Sequence, residues 1–182
     1  MKVWLVNMMA LALLGGATTA VAADCPVALD FYKRPLMGEK PVHLCEEFRG
    51  QVVLIVNTAS KCAYTEQYEG LEEIYSTYRE RGLTVAGFPS NDFGAQEPGT
   101  ETQVRDFCKL TYGVQFPMFA KTRVRGNVAE PLYQHLAEVT GESPRWNFHK
   151  YLLDRQGRVV ASFPSRVEPE DEKLIAAIEE LL

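Results

Sequence analysis

The chain alternates between short apolar, β-branched runs and longer stretches in which apolar residues return every three or four positions. Gln51–Asn57 and Leu83–Phe88 are the densest runs, and continuous apolar character of this kind predicts strands covered on both faces. Between them Tyr68, Leu71, Ile74, Tyr75 and Tyr78 recur at helical spacing, predicting a helix from about Thr65 to Arg81 that is closed by Gly82. Thr100-Glu101-Thr102-Gln103 has the form of a capping box and opens a second helix through Val104, Phe107 and Leu110. Phe116–Phe119 predicts a short strand, and Glu130–Val139 a short helix. His149–Asp154 and Arg158–Phe163 flank Arg155-Gln156-Gly157, which is a hairpin signal. The last helix begins in the acidic run at Glu168, with Leu174, Ile175, Ile178 and Leu181 facing inward. Upstream, Cys25–Leu44 reads as two extended segments joined through Pro35–Lys40, an N-terminal β-hairpin.

Strand–helix–strand–helix, closed by a hairpin and a helix, predicts one three-layer α/β domain over residues 24–182. Residues 1–23 are set apart from it. A basic start at Lys2, the apolar run Met8–Leu14 and the ending Ala20-Val21-Ala22-Ala23 predict a secretory signal peptide, cleaved after Ala22 or Ala23. The apolar stretch is short for a span of roughly 20 residues, so no stable membrane insertion is expected. An exported location follows, the periplasm if the source is a Gram-negative bacterium.

Charge and composition narrow the chemistry. Of 19 Lys+Arg only Lys2 lies in the leader, so the mature chain carries 18 against 24 Asp+Glu, a formal charge of −6. An acidic chain without a basic run gives no reason to expect nucleic acid, and there is no glycine-rich phosphate loop. His43, His135 and His149 are scattered and lack ligand spacing to the cysteines, so no metal is expected. Four cysteines remain, Cys25, Cys45, Cys62 and Cys108, and in an oxidising compartment they allow three pairings among which spacing does not choose.

Cys62 follows a buried strand and a short loop, just before the first long helix. Free backbone N–H groups and the positive end of a helix dipole favour the thiolate there, and the thiolate is the reactive form. Lys61 acts in the same direction.

Three segments then carry a resemblance. Asn57-Thr58-Ala59-Ser60-Lys61-Cys62-Ala63-Tyr64-Thr65, Phe88-Pro89-Ser90-Asn91-Asp92-Phe93-Gly94-Ala95-Gln96-Glu97-Pro98-Gly99 and Trp146-Asn147-Phe148-His149-Lys150 resemble, in order and spacing, the three motifs of glutathione peroxidases. The resemblance extends over essentially all of 24–182. It implies a thioredoxin-like fold, with a central mixed sheet flanked by helices, and a catalytic set at Cys62, Gln96, Trp146 and Asn147. The two amides and the indole N–H are neutral donors able to point at a thiolate or a peroxide oxygen. None of the three titrates near neutral pH, so the proton for the leaving oxygen must come from elsewhere. No cofactor is implied; the co-substrates would be a hydroperoxide and either a thioredoxin-like protein or glutathione.

The segment around Cys108 resembles the one that bears the resolving cysteine in two-cysteine members, where a second thiol condenses with the sulfenic acid. Cys25 and Cys45 are then left flanking the hairpin, where a structural disulfide is plausible though the family does not require one. Asp92 stands where the family usually has Gln, Ala63 where it has Gly and Thr58 where it has Val. Asp92 places a negative charge near the loop and so works against a thiolate. The stretch Leu132–Arg145 is short beside tetrameric members, which favours a monomer with an open site. A thioredoxin-type oxidoreductase is disfavoured because Thr65 occupies the second position of the C-x-x-C pair it would need. A peroxide-sensing relay that passes its disulfide to a client protein needs the same two cysteines as a scavenger, and remains the alternative.

Overall fold

The computed structural model describes residues 25–182, so the expected signal peptide at 1–23 lies outside the described residues. Both apolar runs are strands. β3 (Val52–Thr58) and β4 (Leu83–Pro89) pair in parallel, and every residue of both is buried. β5 (Lys150–Leu153) lies antiparallel on the other side of β3, and β6 (Val159–Phe163) closes the sheet in the order β4-β3-β5-β6. This is the mixed sheet of a thioredoxin-like fold.

Alternation along each strand sends successive side chains to opposite faces and so builds two cores. Val53 and Ile55 join Phe88, Tyr151 and Leu153 under α1 (Leu44–Glu47) and α4 (Pro131–Thr140). Val52, Leu54 and Val56 join Val85 and Leu152 under α2 (Gln67–Tyr78), α3 (Glu101–Tyr112) and α5 (Glu172–Leu181). The N-terminal hairpin is short: β1 (Tyr32–Lys33) and β2 (Val42–His43) share two residue pairs. Cys25 and Cys45 are joined by a disulfide, with their Cα atoms 5.8 Å apart, which fastens the segment ahead of β1 to α1.

Several boundaries differ from the sequence pattern. α2 begins at Gln67 and ends at Tyr78, and Arg79–Arg81 continues as a 3-10 turn into Gly82, whose φ of 100° only glycine adopts without strain. The last helix starts at Glu172, because the Asp171 side chain accepts the Lys173 N–H and caps it there. Phe116–Phe119 is no ladder strand. It touches β4 and the hairpin through single bridges, Gly87 to Met118 and Pro35 to Phe119, since Pro117 has no N–H to give. The capping box of α3 is present in both directions, but Leu110 is 81% exposed and plays no part in the core.

One buried cation ties these layers together. Lys150 at the start of β5 is fully buried, and its Nζ donates to Gln67 Oε1 (2.6 Å), Phe148 O (2.9 Å) and Val167 O (2.8 Å). All three acceptors are neutral, and burial lowers its pKa to about 7. Lys150→Met would leave those acceptors unpaired and is expected to cost about 3 kcal/mol in urea unfolding at neutral pH. The sign with pH is fixed too. Above about 7 the folded chain holds this amine neutral while the unfolded chain keeps it charged up to its ordinary 10.5, so its contribution grows as pH rises through that window. The gap between wild type and Lys150→Met should therefore widen from pH 6 to pH 9.

Candidate active site

Cys62 lies on a turn between β3 and α2, half-buried, and not against a helix end as the sequence pattern suggests. Thr65 organises the turn. Its Oγ1 donates to Ala59 O (3.0 Å) and accepts the Cys62 N–H (2.9 Å), and its own N–H donates to Cys62 O (3.1 Å). Because α2 begins only at Gln67, the N–H facing the sulfur comes from the turn itself, from Tyr64 at 3.4 Å. Thr65 is thus part of the site by its hydroxyl. A threonine three residues after the cysteine, at the mouth of a helix, was the signal for it.

The glycine-rich loop after β4 comes against this turn. Lys61 N–H donates to Gln96 O at 3.0 Å, and Asn147 Nδ2 donates to Gln96 Oε1 at 2.9 Å. The structure therefore places Gln96 between the Cys62 turn and the Trp146–Asn147 turn. That second turn hangs from the end of β3: Asn57 Nδ2 donates to Trp146 O (3.1 Å) and Phe148 N–H donates to Asn57 O (2.6 Å). Asn147 is fully buried, whereas Trp146 is 38% exposed and tilts against Phe93. Among the described residues two non-glycine positions have positive φ, Ala95 (51°) and Phe148 (64°), and each adjoins one of the two amides. Such conformations cost about 1–3 kcal/mol and persist only where the surroundings impose them.

A cleft of about 570 Å³ opens beside Trp146 and Tyr64, with Arg145 and Arg166 on its rim. On the other side of the Cys62 turn sits Glu97, which is 1% exposed. Its Oε2 accepts from Ser60 Oγ (3.1 Å), and burial raises its pKa against the opposing pull of Ser60 and Lys121. Sequence reasoning missed this acid, although it stands next to Gln96 in the motif. Asp92 does not face the sulfur: its Oδ2 accepts the backbone N–H groups of Val124 (2.7 Å) and Arg125 (3.2 Å).

Cys108 is a free thiol, buried on the inner face of α3 in the same core cluster that Cys62 packs against. Burial pushes its pKa up to about 11, eased by the Tyr68 phenol, so in this conformation it is no ready nucleophile. Burial likewise raises Tyr68 well above an ordinary phenol.

With this geometry in place, comparison with known proteins decides the relationship. The glutathione peroxidase family profile matches residues 28–137. The chain belongs to the glutathione peroxidase family. It is similar to a glutathione peroxidase of Lactococcus lactis subsp. cremoris, 48% identical over 129 residues that cover 69% of this chain and 82% of that one. It is 45% identical over 152 residues to a hydroperoxy fatty acid reductase of Synechocystis, covering 78% and 88% of the two chains. Among solved structures, Trgpx in apo form is 33% identical, covers 85% of this chain and 94% of its own, and superposes with a TM-score of 0.67. Members of this family are thiol peroxidases that consume a hydroperoxide and a thiol reductant, and this chain is one of them.

The carboxyl beside the loop has a measurable signature. The folded chain holds a proton on Glu97 to higher pH than the unfolded chain does, so its contribution is full at low pH and is lost as pH rises through its raised pKa. Glu97→Gln keeps an acceptor for Ser60 and removes that loss. Its urea midpoint should exceed the wild-type midpoint at pH 7.5, and the advantage should shrink towards pH 4.

Proposed function

We propose that Cys62 is the peroxidatic residue, with Gln96, Trp146 and Asn147 as its donors and Cys108 as the resolving thiol. The observation that supports this most is the bridging position of Gln96, bonded to the Cys62 turn on one side and to Asn147 on the other. The Cys62 thiolate attacks one peroxide oxygen, the O–O bond breaks, and the leaving alkoxide or hydroxide takes a proton to depart as alcohol or water. Amide and indole N–H groups stabilise the charge that develops on oxygen. Glu97, held by Ser60 next to that turn, supplies the titratable acid that these neutral donors lack. The sulfenic acid then condenses with the Cys108 thiol, forming the disulfide and releasing water. A thioredoxin-like dithiol or glutathione returns both sulfurs to thiols. Since Cys108 is buried with its pKa near 11, condensation requires the C-terminal half of α3 to open and let the thiol ionise.

The cleft beside Trp146 suits an amphiphilic hydroperoxide, whose carboxylate would meet Arg145 and Arg166. Export through a signal peptide at 1–23, a periplasmic location in a Gram-negative source, a domain spanning 24–182 and a monomeric state complete the reading. No helix of the described residues is long and apolar enough to cross a membrane.

The decisive test is one equivalent of cumene hydroperoxide added to the reduced protein, followed by disulfide mapping by mass spectrometry. The wild type should yield a Cys62–Cys108 bond, Cys108→Ser should stop at the Cys62 sulfenic acid, and Cys62→Ser should lose roughly a thousandfold or more in rate. A Cys62 that stayed a thiol while peroxide survived would sink the proposal. Specificity has its own readout. Arg166→Ala should raise KM for a hydroperoxy fatty acid roughly tenfold, the loss of about one charge-assisted hydrogen bond, and leave kcat/KM for hydrogen peroxide unchanged.

A further inference from the structure

Outside this site, the N-terminal hairpin gathers side chains that the sequence keeps apart. His43 at the end of β2 folds back beside Asp30 and Cys25, with Nε2 2.9 Å from Asp30 Oδ1 and 3.8 Å from Cys25 Sγ. The ligand atoms of all three residues lie within 4.8 Å of one another. Four-coordinate zinc at ordinary N, O and S bond lengths sets its ligands roughly 3.3–3.8 Å apart, so only small shifts separate this cluster from a coordination shell. The imidazole is already oriented. It stacks on Tyr32 at 4.6 Å, and its other nitrogen, Nδ1, lies 3.9 Å from the Glu46 carboxylate, which a small side-chain shift would bring to the hydrogen-bond distance of a carboxylate supporting a zinc-bound histidine. Histidines scattered along the sequence gave no sign of this, because the pairing of Tyr32 with His43 is what closes the distance.

In the oxidised chain Cys25 is spent on Cys45, and a disulfide sulfur carries no charge with which to hold a cation. We propose that two-electron reduction of the Cys25–Cys45 bond by a dithiol, itself oxidised to a disulfide, converts this clasp into a zinc site. The ligands are the Cys25 thiolate, His43 Nε2, the Asp30 carboxylate and the Cys45 thiolate. Each thiol loses its proton as the metal binds. Disulfide and metal are then mutually exclusive ways of fastening the same hairpin to α1, and zinc draws the redox equilibrium towards the dithiol. The site is separate from Cys62 and Cys108, so its failure leaves the peroxidase reading untouched.

The test uses the Cys62→Ser/Cys108→Ser double variant, in which no other thiol can bind metal. Reduced with a dithiol, desalted without oxygen and titrated with Co²⁺, it should take up one equivalent. A thiolate-to-cobalt charge-transfer band should appear and then vanish as Zn²⁺ is added. The same protein in its disulfide form should show neither uptake nor band. Asp30→Asn and His43→Gln in this background should each weaken binding at least tenfold. Asp30 is largely exposed, so its variant separates lost ligation from lost folding. Equal metal uptake by the reduced and oxidised forms, or uptake untouched by both substitutions, would overturn the proposal.

Discussion

Asn57 is the point from which the site is suspended. Its position near the end of β3 is fixed on both sides, by parallel pairing with Phe88 of β4 and by its own N–H, which donates to His149 O just ahead of β5. From there its carbonyl and its side-chain amide hold Phe148 and Trp146, and the chain beyond it leads directly into the Cys62 turn. Two loops remote in sequence thereby meet over one strand end. The left-handed backbone at Phe148 is a consequence, and its ring compensates: it is fully buried and packs edge-on against Tyr68 at 5.3 Å. Strain at this turn is tolerable because a hydrogen bond and an aromatic contact both oppose its relaxation.

What could be read from sequence follows from how local each cause is. β3 and β4 announce themselves because burial on both faces leaves mostly apolar residues, with Asn57, Thr58 and Thr84 the polar exceptions, and α3 because a capping box is written in four consecutive positions. The start of α2 is different. Thr65 closes a turn back to Ala59, and this non-helical wiring displaces the helix to Gln67 in spite of suitable periodicity from Thr65 onward. Leu110 satisfies the spacing and still faces water, since the buried stripe of α3 runs through Val104 and Cys108 and Leu110 projects from the opposite side. The proposed site residues were legible only through a three-part resemblance. Their meeting depends on β3 lying between β4 and β5, which brings Gln96 to Asn147 across 51 residues and Asn57 to Trp146 across 89. Glu97 stayed hidden because a glutamate beside a glycine-rich loop ordinarily faces solvent, and only tertiary packing buries it.

Two of the buried ionisable groups, Lys150 and Glu97, carry opposite sign and are bonded differently. Lys150 is saturated by three neutral acceptors and becomes a structural rivet between β5, α2 and the loop before α5. Glu97 has a single side-chain donor, Ser60, and keeps a raised proton affinity. Lys150 holds the carbonyl of Phe148, next to Asn147, and Glu97 sits beside the Cys62 turn, so each braces one of the two turns that Gln96 joins.

α3 shows how such a fold can let one element go. Both of its ends are sealed, by Thr100 and Gln103 at the front and by Gly113 in the left-handed conformation at the back, so it forms or melts as a piece. Yet only Val104 and Cys108 among its twelve residues are fully buried. Withdrawing Cys108 removes half of those anchors, and the sheet, whose hydrogen bonds lie elsewhere, is left intact. The helix is thus a low-energy foldon mounted on a high-energy platform, and its amides would exchange with solvent long before those of β3 and β4.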